Sequence, residues 1–151
     1  MSKSPSIPRT KNPEGYDEHG KPVRVLVIDD ELLTRRLVVQ VLRSVGYDVV
    51  TEGENGRVAV QLYDKYKPDI VTMDVRMPVL GGLEALKEIK KKHQNATIVM
   101  LTNENSKDTV KELILAGASG YIVKPVDRTL VLDKLKEVRS RIRAEEDENG
   151  H

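Results

Sequence analysis

Short apolar runs alternate along the chain with longer segments in which apolar residues recur every three or four positions. The runs VRVLVI, YDVVTE, DIVTM, TIVMLT and GYIV have the length and β-branched composition of strands. The segments that follow them, such as ELLTRRLVVQVLRSVG, have the period of amphipathic helices. Five strands alternating with five helices predict an α/β domain, because parallel strands need right-handed crossovers that place helices on both faces. The best match is a doubly wound, five-stranded parallel sheet, flavodoxin-like (βα)5, with strand order 2-1-3-4-5.

The alternating pattern covers residues 23–143 and is absent from both ends of the chain. Residues 1–22 mix Pro, Ser, Lys, Asn and Gly with almost no periodic apolar positions, which predicts a flexible N-terminal arm. Residues 144–151 are acidic and polar, which predicts a flexible tail. The sequence therefore predicts one domain between two loose ends.

Composition narrows the possible partners and chemistries. With 151 residues, 32% of them charged, and a net charge of +1, neither nucleic acid nor an anionic membrane surface is an expected partner. The absence of cysteine excludes disulfides, thiolate metal sites and a cysteine nucleophile. No apolar run approaches the length of a membrane span, and the first residues contain no signal-peptide core. We therefore expect a cytoplasmic protein that is not inserted in a membrane.

Polar side chains follow the strands that are predicted to lie at the centre of the sheet. Asp29 and Asp30 follow the first strand, Asp74 ends the third, Thr102 the fourth, and Lys124 the fifth. Ligands of such sheets bind at the carboxyl ends of the strands, so these groups should converge. Clustered carboxylates repel one another and need a cation, and hard oxygen ligands suit Mg²⁺. A carboxylate nucleophile, a metal, a lysine and a hydroxyl predict a phosphoryl-transfer site in which Asp74 accepts the phosphoryl group.

In these motifs the sequence resembles the receiver domain of two-component response regulators, especially the chemotaxis-type single-domain members. The resemblance rests on the acidic pair after the first strand, on MDVRMPVLGG, on the threonine after the fourth strand, and on YIVKP. It implies that Asp74 is the phosphoacceptor, that Asp30 is a direct Mg²⁺ ligand, and that Asp29 supports the metal largely through water. The backbone carbonyl of Arg76 would complete the metal shell.

The resemblance also implies a switch and a set of partners. Thr102 and Tyr121 would form the switch pair, and Lys124, whose bond to Pro125 is often cis in this family, would contact the phosphoryl group. The donor would be a phosphohistidine on a sensor histidine kinase or a phosphotransfer protein. A downstream protein would bind the face of the fourth helix, fifth strand and fifth helix. The chain would catalyse only its own aspartyl phosphorylation and dephosphorylation, so it is not expected to be an enzyme in the ordinary sense.

Three positions depart from the pattern of the family that the chain resembles. Asn103 replaces a small residue beside the nucleophile, which predicts obstructed access to Asp74. Gly81 replaces a polar residue and removes a possible helix cap. Arg76, paired with Glu104, is predicted to flank the site.

Other functions fit the residues less well. A flavin carrier needs a phosphate-binding loop after the first strand and stacking aromatic rings, but this loop is acidic, and Trp and Phe are absent. A dinucleotide enzyme needs a glycine-rich turn at the same place. A Mg²⁺-dependent aspartyl-phosphate phosphohydrolase needs an acid two residues after the nucleophile, where Arg76 stands. A phosphorelay intermediate stays open, whereas the initial methionine and the short chain disfavour a fragment of a transcription factor.

Overall fold

The structure is a computed structural model that describes residues 14–149. Within this range five strands alternate with five helices, in the order β1 Arg24–Ile28, α1 Leu32–Ser44, β2 Asp48–Gly53, α2 Gly56–Tyr66, β3 Ile70–Asp74, α3 Gly82–Lys92, β4 Ile98–Thr102, α4 Lys107–Leu115, β5 Gly120–Val123 and α5 Arg128–Asn149. All strand pairs are parallel, and the order across the sheet is β2-β1-β3-β4-β5. The predicted fold class and strand order are therefore confirmed.

The sheet separates two hydrophobic layers of the described domain. Successive side chains of a strand point to opposite faces, so Val25 and Val27 join the layer under α1 and α5, while Leu26 and Ile28 join the layer under α2, α3 and α4. Both layers are closely covered, and the strands end together at one edge. The polar residues that follow the strands are therefore attached to a sheet that is packed on both faces.

The buried face of α1 differs from the one that its four-residue spacing suggests. A series with Leu33, Leu37, Val41 and Val45 predicts one apolar face, but Leu33 is 81% exposed. A step of four residues exceeds one helical turn, so such a series rotates around the helix. The buried residues of α1 share only Val41 with that series and are Arg35, Val38, Val39, Val41 and Leu42.

Part of the predicted N-terminal arm is packed against the domain. The Gly15 N–H donates to Val45 O at 2.8 Å, and the Val23 N–H donates to Gly15 O at 2.8 Å. The Arg139 guanidinium donates to the carbonyls of residues 14 and 16. A Cβ on Gly15 would lie 2.1 Å from the Tyr47 nitrogen, so the close approach requires glycine. The predicted arm is corrected for residues 14–22, and residues 1–13 lie outside the described residues.

The last helix is longer than predicted. It continues to Asn149, although a loose tail was expected from residue 144 onward. Alanine and glutamate are strong helix formers, so the acidic segment AEED continues the helix despite its polarity. Residues 150–151 lie outside the described residues. Between residues 14 and 149, no helix combines the length and apolarity that crossing a bilayer requires.

Candidate functional site

Three carboxylates converge at the carboxyl edge of the sheet. Asp29 follows β1, and Asp74 ends the adjacent strand β3. One oxygen from each of Asp29, Asp30 and Asp74 lies within 4.8 Å of the others. Asp29 and Asp74 are buried, whereas Asp30 is exposed. The cluster is therefore anchored in the core and open to solvent on the Asp30 side.

Hydrogen bonds and close backbone packing hold the chain at the two buried aspartates. Asp29 Oδ1 accepts a hydrogen bond from the Glu31 N–H at 2.8 Å, and Asp29 O accepts one from Arg35 Nη1 at 2.7 Å. On the other strand, the Gly82 N–H donates to Val75 O at 2.7 Å. A Cβ on Gly82 would lie 2.1 Å from Asp74 O, so α3 begins against the backbone carbonyl of Asp74.

Lys124 brings one ammonium group to the acidic cluster. Its Nζ lies 3.3 Å from Asp29 Oδ2, 3.3 Å from Asp74 Oδ1 and 2.8 Å from Glu31 Oε1. The Lys124 side chain is only 6% exposed. The peptide bond between Lys124 and Pro125 is cis, as the family resemblance implied. The buried Lys124 ammonium is therefore within ion-pair distance of the carboxylates of Asp29, Glu31 and Asp74.

The pKa values reflect this crowding. Burial, the charge of Asp29 and the hydrogen bond with Asp30 raise the pKa of Asp74 to about 7, against the opposing effect of Lys124. Burial also raises the pKa of Asp29. For Lys124, burial lowers the pKa, but the hydrogen bond to Glu31 and the charges of both aspartates outweigh it, so the pKa is raised. In the absence of a metal, the fold therefore holds Asp74 in an environment that disfavours its charged form.

The donor set fits a hard divalent cation. In the described part of the chain, the buried Asp29 Oδ2 accepts no well-aligned hydrogen bond, although Lys124 Nζ is within ion-pair distance. An ionised oxygen without such a partner is costly to bury. One or two of these three carboxylates could bind Mg²⁺ directly, and the exposed side at Asp30 leaves room for the waters that this ion keeps.

The loop that follows β4 contacts two of the predicted site residues, Thr102 and Arg76, through Glu104. The buried Thr102 hydroxyl donates to Glu104 O at 3.1 Å and accepts from the Glu104 N–H at 3.0 Å. Arg76 Nη2 lies 2.8 Å from Glu104 Oε2, so the side chains that flank the site are paired. Asn103 is exposed between them. The Thr102 hydroxyl is thus occupied by its own loop.

Comparison with known proteins agrees with this geometry. The family model for the response regulator receiver domain matches residues 25–136. The chain belongs to this receiver family. It is 42% identical to the chemotaxis protein CheY of Thermotoga maritima over 115 residues, which are 76% of this chain and 96% of that protein. CheY of Treponema pallidum is 38% identical over 128 residues, or 83% of this chain and 89% of that protein.

A similar solved structure is the CheX-CheY-BeF3-Mg²⁺ complex of Borrelia burgdorferi, with a TM-score of 0.82 and 32% identity, covering 85% of this chain and 98% of that chain. CheY4 of Vibrio cholerae has a TM-score of 0.72 and 34% identity, covering 77% of this chain and 98% of that chain. Receiver domains bind Mg²⁺ at an aspartate cluster, and this chain has such a cluster. The family membership supports a function in two-component signal transduction.

The receiver structure brings together some of the predicted site residues and not others. Asp29, Asp30, Asp74 and Lys124 form one cluster. Thr102 ends the neighbouring strand β4, but its hydroxyl contacts the loop rather than a carboxylate. The half-buried ring of Tyr121 lies on β5, with Lys134 Nζ 5.8 Å from its centroid, and no contact joins it to Thr102 in the described hydrogen-bond network.

No role was predicted from the sequence for two residues that contact Lys124 or Asp29, namely Glu31 and Arg35. Glu31 is the carboxylate nearest to Lys124, and Arg35 joins the Asp29 carbonyl to Glu52, whose Oε1 lies 3.0 Å from Arg35 Nε. The signal for Glu31 is its position in the sequence, directly after the two acids Asp29 and Asp30. Arg35 could have been found only from the correct phase of α1, which places a charged residue among buried positions.

Proposed function

We propose that this receiver is a stand-alone switch, in which Asp74 accepts a phosphoryl group in a Mg²⁺-dependent reaction and the modified protein binds a protein partner. The observation that carries the proposal is the position of Asp74 at the end of β3, beside Asp29 and 3.3 Å from Lys124. A buried aspartate held among acids and one lysine is poorly explained by stability, because its pKa is raised rather than lowered.

The proposed chemistry is an in-line displacement. A carboxylate oxygen of Asp74 forms a bond to phosphorus while the bond from phosphorus to the donor's leaving atom breaks. Mg²⁺ held by Asp29, Asp30 and Asp74, with the Arg76 carbonyl as a further ligand, would neutralise charge on the phosphoryl oxygens. Lys124, whose Nζ lies 3.3 Å from both Asp29 Oδ2 and Asp74 Oδ1, supplies a second positive charge. Asp74 must be deprotonated to act, and a bound Mg²⁺ would favour its ionised form.

The proposed donor is a phosphohistidine on a sensor histidine kinase or a phosphotransfer protein. Such a donor would supply the group that Asp74 accepts, and the proposed site of the reaction is the cytoplasm. The chain would act on no other substrate. A phosphohydrolase is disfavoured because the position of its general acid is taken by Arg76, whose guanidinium is paired with Glu104.

The proposed output face consists of α4, β5 and α5. It exposes Ile114, Leu115 and Leu130, and Leu115 is 76% exposed. Ile114 and Leu115 are neighbours on α4, and adjacent exposed apolar side chains favour protein binding. Phosphorylation would draw the Thr102 hydroxyl from Glu104 toward the phosphoryl group, and Tyr121 would turn into the vacated space. The CheX-CheY complex among the similar structures supports a protein as the target.

A phosphorylation assay tests the proposal. The protein is incubated with Mg²⁺ and acetyl phosphate, and its intact mass is measured before and after mild base. The wild type should gain one base-labile phosphoryl group, and Asp74→Ala should gain none. Asp133→Asn, a change at an exposed aspartate of α5, is the matched control and should behave as the wild type. Modification of Asp74→Ala at the wild-type rate would reject the proposal.

A further inference from the structure

The carboxylate nearest to Lys124 is not one of the three predicted metal ligands. Glu31 Oε1 lies 2.8 Å from Lys124 Nζ, against 3.3 Å for both Asp29 Oδ2 and Asp74 Oδ1. Thr34 Oγ1 donates to the same Glu31 oxygen at 3.1 Å and fixes it at the start of α1. The ammonium that faces Asp74 is therefore held most closely by a residue outside the aspartate cluster.

Glu31 differs from the two aspartates in its exposure. Its side chain is 59% exposed, whereas those of Asp29 and Asp74 are almost completely buried. A buried carboxylate that loses its cation pays the full cost of an unpaired charge, but an exposed one is solvated by water. Of the three contacts to Lys124, the one with Glu31 is therefore the least costly to break.

A phosphoryl group on Asp74 would compete with Glu31 for the hydrogen-bond donors of the Lys124 ammonium. It brings three strong acceptor oxygens and a charge of about −1.5 to −2, next to an ammonium with three donors. Glu31 then competes with the phosphoryl oxygens for the same donors, and its own negative charge repels the incoming anionic donor. Both effects oppose phosphoryl transfer.

We propose that Glu31 is a positioning residue that holds Lys124 at the rim of the site and thereby slows the phosphorylation of Asp74. This inference rests on the proposed function. When a phosphoryl group arrives, Lys124 exchanges its Glu31 contact for a phosphoryl oxygen, and Glu31 turns into solvent. Glu31 thereby sets the rate at which Asp74 is phosphorylated, without contacting the phosphoryl group itself.

Two variants separate the contact from the charge. Glu31→Gln removes the charge and leaves a weaker acceptor, while Glu31→Asp keeps the charge on a side chain that is shorter by one methylene and cannot reach Lys124 in the same way. Glu54→Gln removes another exposed carboxylate near this edge of the sheet, whose ion pair is with Arg35, and serves as the control. Each protein is phosphorylated with acetyl phosphate at saturating Mg²⁺, and rate constants are measured over a range of donor concentrations.

Both Glu31 variants should react about two- to fivefold faster than the wild type, as the size of a partly exposed ion pair suggests, while Glu54→Gln stays unchanged. A rate for Glu31→Asp equal to that of the wild type would overturn the role of the contact. A slower Glu31→Gln protein would show that Glu31 assists the reaction, which also contradicts the proposal. In the same assay, reaction of Asp74→Ala would reject the proposed function, a different outcome from a failure of the Glu31 variants.

A second measurement does not depend on turnover. The ¹⁵N signal of the Lys124 ammonium is compared in metal-free protein and in protein with Mg²⁺ and beryllium fluoride, a stand-in for the phosphoryl group. The wild type and Glu31→Gln should differ in the free form and converge in the loaded form, because only the free form contains the Glu31 contact. Equal signals in the free form would refute the proposal.

Discussion

Removing the charge of Asp74 should stabilise the metal-free protein. The substitution Asp74→Asn keeps the shape of the side chain and eliminates its ionisation. Burial and the charge of Asp29 raise the pKa of Asp74 from its ordinary value of 3.8 to about 7. About three pKa units at ~1.4 kcal/mol each give an upper limit of about 4 kcal/mol for the cost of the charged form. Because the amide leaves Lys124 with fewer acceptors, at a cost of about 1 to 2 kcal/mol, we expect a net gain of about 2 to 3 kcal/mol above pH 7.

The sign of the pH dependence follows from the direction of the shift. An acid with a raised pKa binds its proton more tightly in the folded state than in the unfolded state. Its contribution therefore favours folding at low pH, and wild-type stability falls as the pH rises from about 4 to about 7. The Asp74→Asn protein lacks this contribution. The difference between the two proteins should be small near pH 4 and largest at about pH 8.

Urea unfolding in the presence of EDTA measures this difference. Free energies of unfolding are determined for the wild type, Asp74→Asn and the exposed control Asp133→Asn at several pH values. Mg²⁺ should then stabilise the wild type more than Asp74→Asn, because the cation binds the charge that burial disfavours. Equal stability of the wild type and Asp74→Asn at about pH 8, or a difference that does not change with pH, would refute the reasoning.

Three further predictions concern the reaction. Asp30→Asn removes a metal ligand at an exposed position, so Mg²⁺ affinity in titrations should fall by about tenfold or more with the fold intact, and an unchanged titration would reject the assignment. Lys124→Ala should still allow some phosphorylation of Asp74 but should lose the phosphorylation-dependent gain in partner affinity. A binding assay on the phosphorylated and unphosphorylated variant would detect this loss, and a gain as large as that of the wild type would contradict the role of Lys124. Asn103→Ala should accelerate phosphorylation and dephosphorylation in stopped-flow experiments, because the exposed side chain that follows Thr102 is predicted to obstruct access to Asp74. A slower variant would exclude obstruction.

The fold could be predicted because its determinants are local. Each strand is a short β-branched run, and each helix has its own apolar period, so the alternation can be read without tertiary information. The convergence of Asp29, Asp74 and Lys124 follows from the same logic, since the ends of neighbouring parallel strands meet at one edge.

Features that depend on contacts between distant segments could not be predicted. The docking of Gly15 depends on the loop near Tyr47 and on Arg139, which are far away in the sequence. The phase of α1, and with it the burial of Arg35, depends on how the helix is rotated over the sheet. Glu31 was recognised as an acid, but its approach to Lys124 joins residues 93 positions apart.

The most direct test of the central claim is to identify the phosphorylated residue. The protein is phosphorylated with acetyl phosphate and Mg²⁺ and reduced with borohydride, which converts an aspartyl phosphate into homoserine. The peptides that contain Asp29, Asp30 and Asp74 are then sequenced by mass spectrometry. The account predicts homoserine at position 74 and an unmodified aspartate at positions 29 and 30. Homoserine at another position, or unmodified Asp74 in protein that has gained a phosphoryl group, would contradict it.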